Sequence, residues 1–342
     1  MDGDDYNDAE QHIEPDKQAS LGYFNDNLVK PFILEASNFR GRAVRMGSEL
    51  DDILSAHDYP RPVAHLVAET LTLALLLSSM IKYEGIFTLQ TQGDGPISML
   101  VADVTSDGKV RACASYNEER LEIARQQLSA MKSVESSQNH LAQYLGKGYI
   151  AFTVDQGGAH ERYQGVVDLH GASLVDCAQH YFTQSEQIST GIKMAVGQRD
   201  GEWRSAGIML QKMPEDETVR FQSNQVDLDE DDWRRCMIFM ESCTEEELLD
   251  PKLSPNDLLT RLFHEEGVRV FEPKAVIKEC RCSDERVFSV LSMMSLDDRE
   301  YMENAGKISM KCEFCSHEYV FDAAELEQKI KDMQNDSNKE PH

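Results

Sequence analysis

Two thiol pairs stand near the C-terminus, Cys280-Arg-Cys282 and Cys312-Glu-Phe-Cys315, in the pattern C-x-C-x29-C-x-x-C. Pairs from distant points of a chain can offer four sulfurs to one metal, and Zn2+ takes a closed tetrahedron of thiolates at about 2.3 Å. Cys280, Cys282, Cys312 and Cys315 are therefore expected to bind one Zn2+. The stretch around them, 271–332, is short enough that a stable core is not assured without such a staple. Structural zinc in small peptides contributes about 10–16 kcal/mol, ample to order it. The other four of the eight cysteines, Cys113, Cys177, Cys236 and Cys243, are scattered.

Three details favour redox chemistry over a purely structural zinc ribbon. C-x-C is an unusual half-site for a ribbon, where C-x-x-C is the more usual spacing. Lys278, Arg281 and Lys311 lie beside the thiols, and cations favour the reactive thiolate, although Glu279 and Glu313 offset part of that charge. Each pair can also close a disulfide within itself, since tetrahedral bonds place sulfurs roughly 3.8 Å apart. A bridge across C-x-C is strained and so readily reduced again, which suits reversible chemistry.

The bulk numbers narrow the class. A chain of 342 residues is long for one ordinary domain, so two or three folded units are expected. It carries 34 Lys and Arg against 61 Asp and Glu, a net charge of −27. That field repels a phosphate backbone, so no specific nucleic-acid partner is expected. The start, M-D-G-D-D-Y-N-D-A-E, lacks the basic and apolar regions of a secretory signal, and the charge-free apolar stretch at 70–81 is too short to span a bilayer. The reading is a cytoplasmic protein with no membrane partner, in a compartment where clustered cysteines bind metal or act in redox chemistry.

Charge and periodicity divide the chain into five parts. Residues 1–19 read as an acidic disordered tail, with seven acids against Lys17. Residues 20–213 read as α+β: a helix over 61–81, a hairpin over 85–104, a further strand at 109–116, a second hairpin over 149–169, a helix at 171–187 and a strand at 207–212. Strands in runs with segregated helices argue against a wound βαβ sheet. Residues 214–270 read as a metastable helical linker, because 214–250 alone holds thirteen acids against three arginines. Trp233, Met237, Ile238 and Met240 give it a narrow apolar stripe that must dock on something, and the face bearing Trp233, Met237 and Met240 is expected to dock on the N-terminal part. Residues 271–332 form the expected four-cysteine zinc unit, with helix starts at Ser283, Ser295 and Asp322, and 333–342 a disordered tail.

Signatures of catalysis are missing. Gly93-Asp-Gly95 precedes a strand and lacks G-x-G-x-x-G; no Walker lysine, G-x-S-x-G or H-E-x-x-H occurs. Cys312-x-x-Cys315 lacks the βαβ surroundings of a thioredoxin-like oxidoreductase. A non-enzyme is expected, with a structural zinc-ribbon adaptor as the alternative.

The cysteine pattern, together with Gln92-Gly-Asp-Gly-Pro96, Tyr163-Gln-Gly-Val-Val167, Tyr181-Phe-x-x-Ser-Glu-Gln187 and Leu210-Gln-x-x-Pro214 in that order, resembles the redox-regulated heat-shock chaperone family, the 33 kDa chaperonin or heat shock protein 33 family. The resemblance spans about residues 20–325. It implies an ATP-independent holdase, zinc-bound and inactive when reduced. It further implies that oxidation pairs Cys280 with Cys282 and Cys312 with Cys315, expels zinc and unfolds the linker. The oxidised protein would then be a homodimer that captures unfolding client proteins during oxidative stress and heat shock; the reduced form would be a monomer. Ser316 departs from the pattern, standing where such knuckles often have glycine. Cys236 and Cys243, seven apart in the linker, are either a second redox pair or buried bystanders.

Overall fold

The structure is a computed structural model that describes residues 26–130, 140–157, 162–212 and 225–337. The acidic N-terminal tail and the 213/214 boundary lie outside the described residues. In chain order the elements open with β1 (Leu28–Leu34), β2 (Phe39–Met46), α1 (Ser48–Ser55) and α2 (Arg61–Ser78). Then come β3 (Ile86–Gly93), β4 (Ile97–Thr105), β5 (Lys109–Tyr116), α3 (Glu118–Ala130), α4 (His140–Leu145), β6 (Gly148–Asp155) and β7 (Tyr163–Asp168). Next are α5 (Leu174–Tyr181), continued by a π-helical turn Phe182–Glu186, then β8 (Thr190–Arg199) and β9 (Glu202–Lys212).

Two sheets sandwich α2. The first runs β10 (Val268–Val270)-β1-β2-β9-β8, with β11 (Lys274–Ala275) also on β1; the second runs β12 (Ile277–Lys278)-β5-β4-β3-β6-β7. Helix α2 has Pro62 in its first turn and buries fourteen of its 18 residues. It is long and apolar enough by composition to cross a membrane; here it is the central helix of the core, packed among Val44, Met46 and Met209 of the first sheet and Leu89, Leu100 and Ala112 of the second.

The first sheet is buried on both faces. Alternate residues of one strand serve different cores: Met209 faces α2, while Ile208 and Leu210 face the opposite side. A sheet with two apolar faces needs a second cover. That cover is the acidic stretch, as α6 (Gln225–Ser242), α7 (Glu245–Leu249) and α8 (Pro255–Phe263). A capping box opens α7, with Thr244 and Glu247 satisfying each other's backbone donors, and Ser254 caps α8. The docking stripe is seen: Trp233 meets Phe39 edge-on at 5.3 Å, and Met240 packs with Phe32, Leu34 and Ile208. Gly191 on β8 makes room, since a Cβ there would lie 2.3 Å from the Met237 sulfur. Ile238, outside the face expected to dock, is exposed. Polar locks add to the burial. Glu266 is buried and accepts from Arg235 at 2.7 Å and Ser37 at 2.8 Å, and Arg45 donates to the carbonyls of Asp250 and Leu253.

The chain then crosses between the sheets. β10 (Val268–Val270) and β11 (Lys274–Ala275) pair with β1, and β12 (Ile277–Lys278) runs parallel to β5. Val276, between β11 and β12, is buried. These three short strands, on both sides of the expected 270/271 boundary, are edge strands of the two large sheets. Beyond Cys282 the chain builds a small unit of α9 (Asp284–Met293), α10 (Leu296–Met302), β13 (Glu303–Asn304), β14 (Lys307–Lys311), β15 (Glu318–Asp322) and α11 (Ala323–Ser337). Ser283, Ser295 and Asp322 accept from backbone N–H groups three residues on, as their positions predict. Helix α11 reaches Ser337, five residues past the limit drawn for a disordered tail. The fold class is α+β.

Candidate metal centre

The strand that ends at Lys278 delivers Cys280 and Cys282 to the edge of the second sheet. Its backbone is stapled to β5 by Ile277 N–H to Gly108 at 3.0 Å and Glu279 N–H to Val110 at 3.0 Å, and Glu279 pairs with Lys109 at 2.8 Å. The other pair sits in the turn between β14 and β15. That turn is closed by Cys312 N–H to the His317 carbonyl and by Ser316 N–H to the Cys312 carbonyl, each at 2.9 Å. Ser316 takes φ +59°, a left-handed conformation that costs a residue with a Cβ, so the departure from glycine is a real strain point.

These two arms bring Cys280, Cys282, Cys312 and Cys315 together with all four sulfurs within 4.8 Å of one another. The Cys280–Cys312 sulfurs are 3.7 Å apart and the Cys282–Cys315 sulfurs 3.4 Å. Such a set can hold one metal ion, and both separations lie near the roughly 3.8 Å edge of a zinc–thiolate tetrahedron. Scattered Cys113, Cys177, Cys236 and Cys243 are buried and outside the set.

The thiols differ in acidity. Burial raises Cys280, but hydrogen bonds from the Cys282 backbone and from the neighbouring thiols outweigh it and bring Cys280 down to about 7. Burial pushes Cys312 and Cys315 up. Two of the cations expected to favour thiolate are engaged elsewhere. Lys278 donates to the Asp52 carbonyl at 2.7 Å, and Arg281 binds the Asp103 carboxylate.

Several residues at the centre have no mark in the linear pattern. Tyr319 is buried in the unit's core beside Cys282, whose neighbourhood raises the phenol. Arg111 lies 3.8 Å over the Phe314 ring and binds Asp103 at 2.8 Å. His57 contacts Ser316 and Phe314. Only Asp103 had a local signal, a carboxylate inside the apolar run Leu100-Val-Ala-Asp-Val104, where a buried charge needs a partner.

Residues 26–322 match the family model described as Hsp33 protein. The 33 kDa chaperonin of Caulobacter vibrioides is 37% identical over 302 residues, covering 87% of this chain and 95% of that one. The 33 kDa chaperonin of Pseudomonas fluorescens is 33% identical over 306 residues, covering 88% and 93%. Among solved structures, the 33 kDa chaperonin (heat shock protein 33 homolog) of Thermotoga maritima superposes with a TM-score of 0.73 at 21% identity, over 90% of this chain and 99% of that one.

Proposed function

The chain belongs to the Hsp33 family, and from that premise we propose that it is a redox-regulated, ATP-independent holdase of the cytoplasm, not an enzyme. The observation that carries the reading is the four-sulfur cluster within 4.8 Å, built on the same strand segment that anchors the acidic helices. In the reduced monomer, Cys280, Cys282, Cys312 and Cys315 would hold one Zn2+, which when bound supplies a closed, non-catalytic centre.

Oxidation acts on the thiolates. Closing Cys280 onto Cys282 releases two electrons; one hydrogen peroxide accepts them with two protons and leaves as two waters. Closing Cys312 onto Cys315 consumes a second peroxide in the same way. With its four ligands used up, the unit has only a small core of Val287, Leu291, Ile308, Tyr319, Ala323, Leu326 and Ile330. Its unfolding removes the C-terminal anchor of helices α6–α8, which repel one another and depend on docking. Undocking uncovers Phe39, Ile208 and Leu210 on the sheet and Met240 on the helix, an apolar surface suited to unfolding clients and to dimer formation.

The test is light scattering from a heat-unfolding client, with the chain either reduced and zinc-loaded or peroxide-treated. Suppression only after peroxide is expected. Equal behaviour without suppression in either state overturns the reading and leaves the zinc-ribbon adaptor; catalytic turnover of a dithiol overturns it in favour of an oxidoreductase.

A further inference from the structure

Both thiol arms are gripped from outside by the second sheet and the loop before α2. On the C-x-C arm, Arg281, the residue between the two cysteines, donates to Asp103. Asp103 is buried and also binds Arg111, its register partner across β4 and β5, at 2.8 Å and the Thr88 hydroxyl at 2.6 Å. On the C-x-x-C arm, the Phe314 ring lies beneath the same Arg111. His57 meets this arm twice, with Nε2 3.3 Å from the Phe314 carbonyl and Nδ1 2.9 Å from the Ser316 hydroxyl. A carbonyl only accepts, so Nε2 carries the proton, Nδ1 accepts, and Ser316 donates. His57 is itself seated on Tyr59, stacked at 4.5 Å and 11°, and the Tyr59 hydroxyl accepts from the Ala114 N–H of β5 at 3.0 Å.

We propose that His57, Asp103 and Arg111 are positioning residues of the redox switch: they hold the two thiol arms at the spacing of one closed centre and so set how readily oxidant opens it. The inference rests on the redox reading above. Bringing the Cys312 and Cys315 sulfurs to bonding distance of about 2.05 Å reshapes the knuckle that carries both His57 contacts. Contacts made only by the reduced arrangement bias the equilibrium toward it. Ser316 accepts a left-handed backbone, and its hydroxyl bond to His57 offsets that strain only while the knuckle is docked. Release is clean. When Arg281 departs, Asp103 keeps Arg111 and Thr88, so no buried charge is orphaned and the arm can return on reduction.

The experiment uses the full reduced, zinc-loaded chain and follows metal release into a chromogenic chelator after peroxide. Hydrogen exchange across 309–322 before oxidant, and thermal unfolding, are measured in parallel. His57→Phe keeps a ring on Tyr59 and loses both hydrogen bonds; Ser316→Gly relieves the backbone and loses the hydroxyl. Each is expected to release metal about tenfold faster, the scale of one or two lost hydrogen bonds, and to exchange faster at the knuckle, with the main unfolding transition unmoved. If backbone strain alone mattered, Ser316→Gly would release metal more slowly than the parent. That result, or parental rates and exchange in both variants, overturns the clasp while the redox reading stands. A parent chain that keeps its metal under peroxide overturns the redox reading instead. Asp103→Asn, expected to act in the same direction through Arg281, extends the test to the other arm.

Discussion

Two parts of this molecule are held together in opposite ways. The sandwich around α2 buries fourteen residues of that helix alone, with apolar side chains arriving from both sheets. The cysteine unit buries seven residues in its own core and leaves Met293, Leu296, Tyr301 and Val320 exposed. Apolar burial at about 25 cal/mol per Å2 stabilises the sandwich whatever the redox state. On the function proposed above, the small unit depends on four sulfurs whose bonding an oxidant can change. The acidic helices sit between these regimes, with their apolar stripe on the sandwich and their C-terminal anchor running to Cys280.

The sharpest way to break the contrast is to remove the metal. A chelator, or Cys312→Ser with Cys315→Ser, is expected to cost the unit most of the roughly 10–16 kcal/mol of a structural zinc site. Hydrogen exchange should collapse across 280–337 while α2 and its sheets stay protected. Full protection of 280–337 without metal would show that the small core suffices and that the contrast is false.

The next effect in size concerns the docked helices. Trp233→Ala removes the edge contact with Phe39 and should cost about 2–4 kcal/mol of docking. Gly191→Val drives a side chain into Met237 and should do the same from the sheet side. Both variants are expected to be cut by protease between 225 and 267 while still reduced, and to suppress client aggregation without peroxide. A variant that opens without gaining suppression would separate undocking from activity.

A smaller effect is set by pH. Burial alone would raise the Glu266 carboxyl, but the Arg235 and Ser37 donors overcome it and hold it below the ordinary carboxylate range. A depressed carboxylate contributes stability above its unfolded pKa, and that contribution is lost as pH falls through the folded value. Acidifying the reduced protein below about pH 4.5 should therefore loosen α6 and α8. Glu266→Gln should reproduce the loosening at pH 7, by about 1–3 kcal/mol, and remove its acid dependence. Acid-independent protease sensitivity in the parent chain would eliminate Glu266 as the lock.

How much of this could be read in the chain depends on the range of the signal. Capping residues act over three positions, so Ser283, Ser295 and Asp322 each marked a helix start that the structure contains. The thiol pattern marked the centre because four like ligands are improbable without a shared task. Strands β1, β2 and β8 were not legible. β1 carries Pro31, which ordinarily argues against a strand; the missing N–H falls where β10 and β11 leave a gap beside β1, pairing 32–34 and 28–29 respectively. β8 is broken by Gly191 and Gly197, small because Met237 and Leu249 of the covering helices press on them. The clasp joins His57 and Asp103 to residues up to 259 positions away, a relation that no local pattern encodes.

The smallest expected effect concerns Cys236 and Cys243, the two linker thiols. Both lie on the docked face, essentially without solvent exposure, and burial pushes each thiol up to about 11. A protonated, covered thiol is neither a nucleophile nor accessible to peroxide, so these residues cannot start the response from the docked state. Replacing either with Ala should change stability by about 1 kcal/mol and leave the rate of metal release unaltered. Their position gives them another use: the undocking proposed above would uncover them together with the apolar stripe. Alkylation of Cys236 in the parent chain should be slow when reduced and should accelerate only after metal has left. Alkylation that precedes metal loss would place linker opening before oxidation of the centre, and would reverse the order in which the two weakly held regions let go.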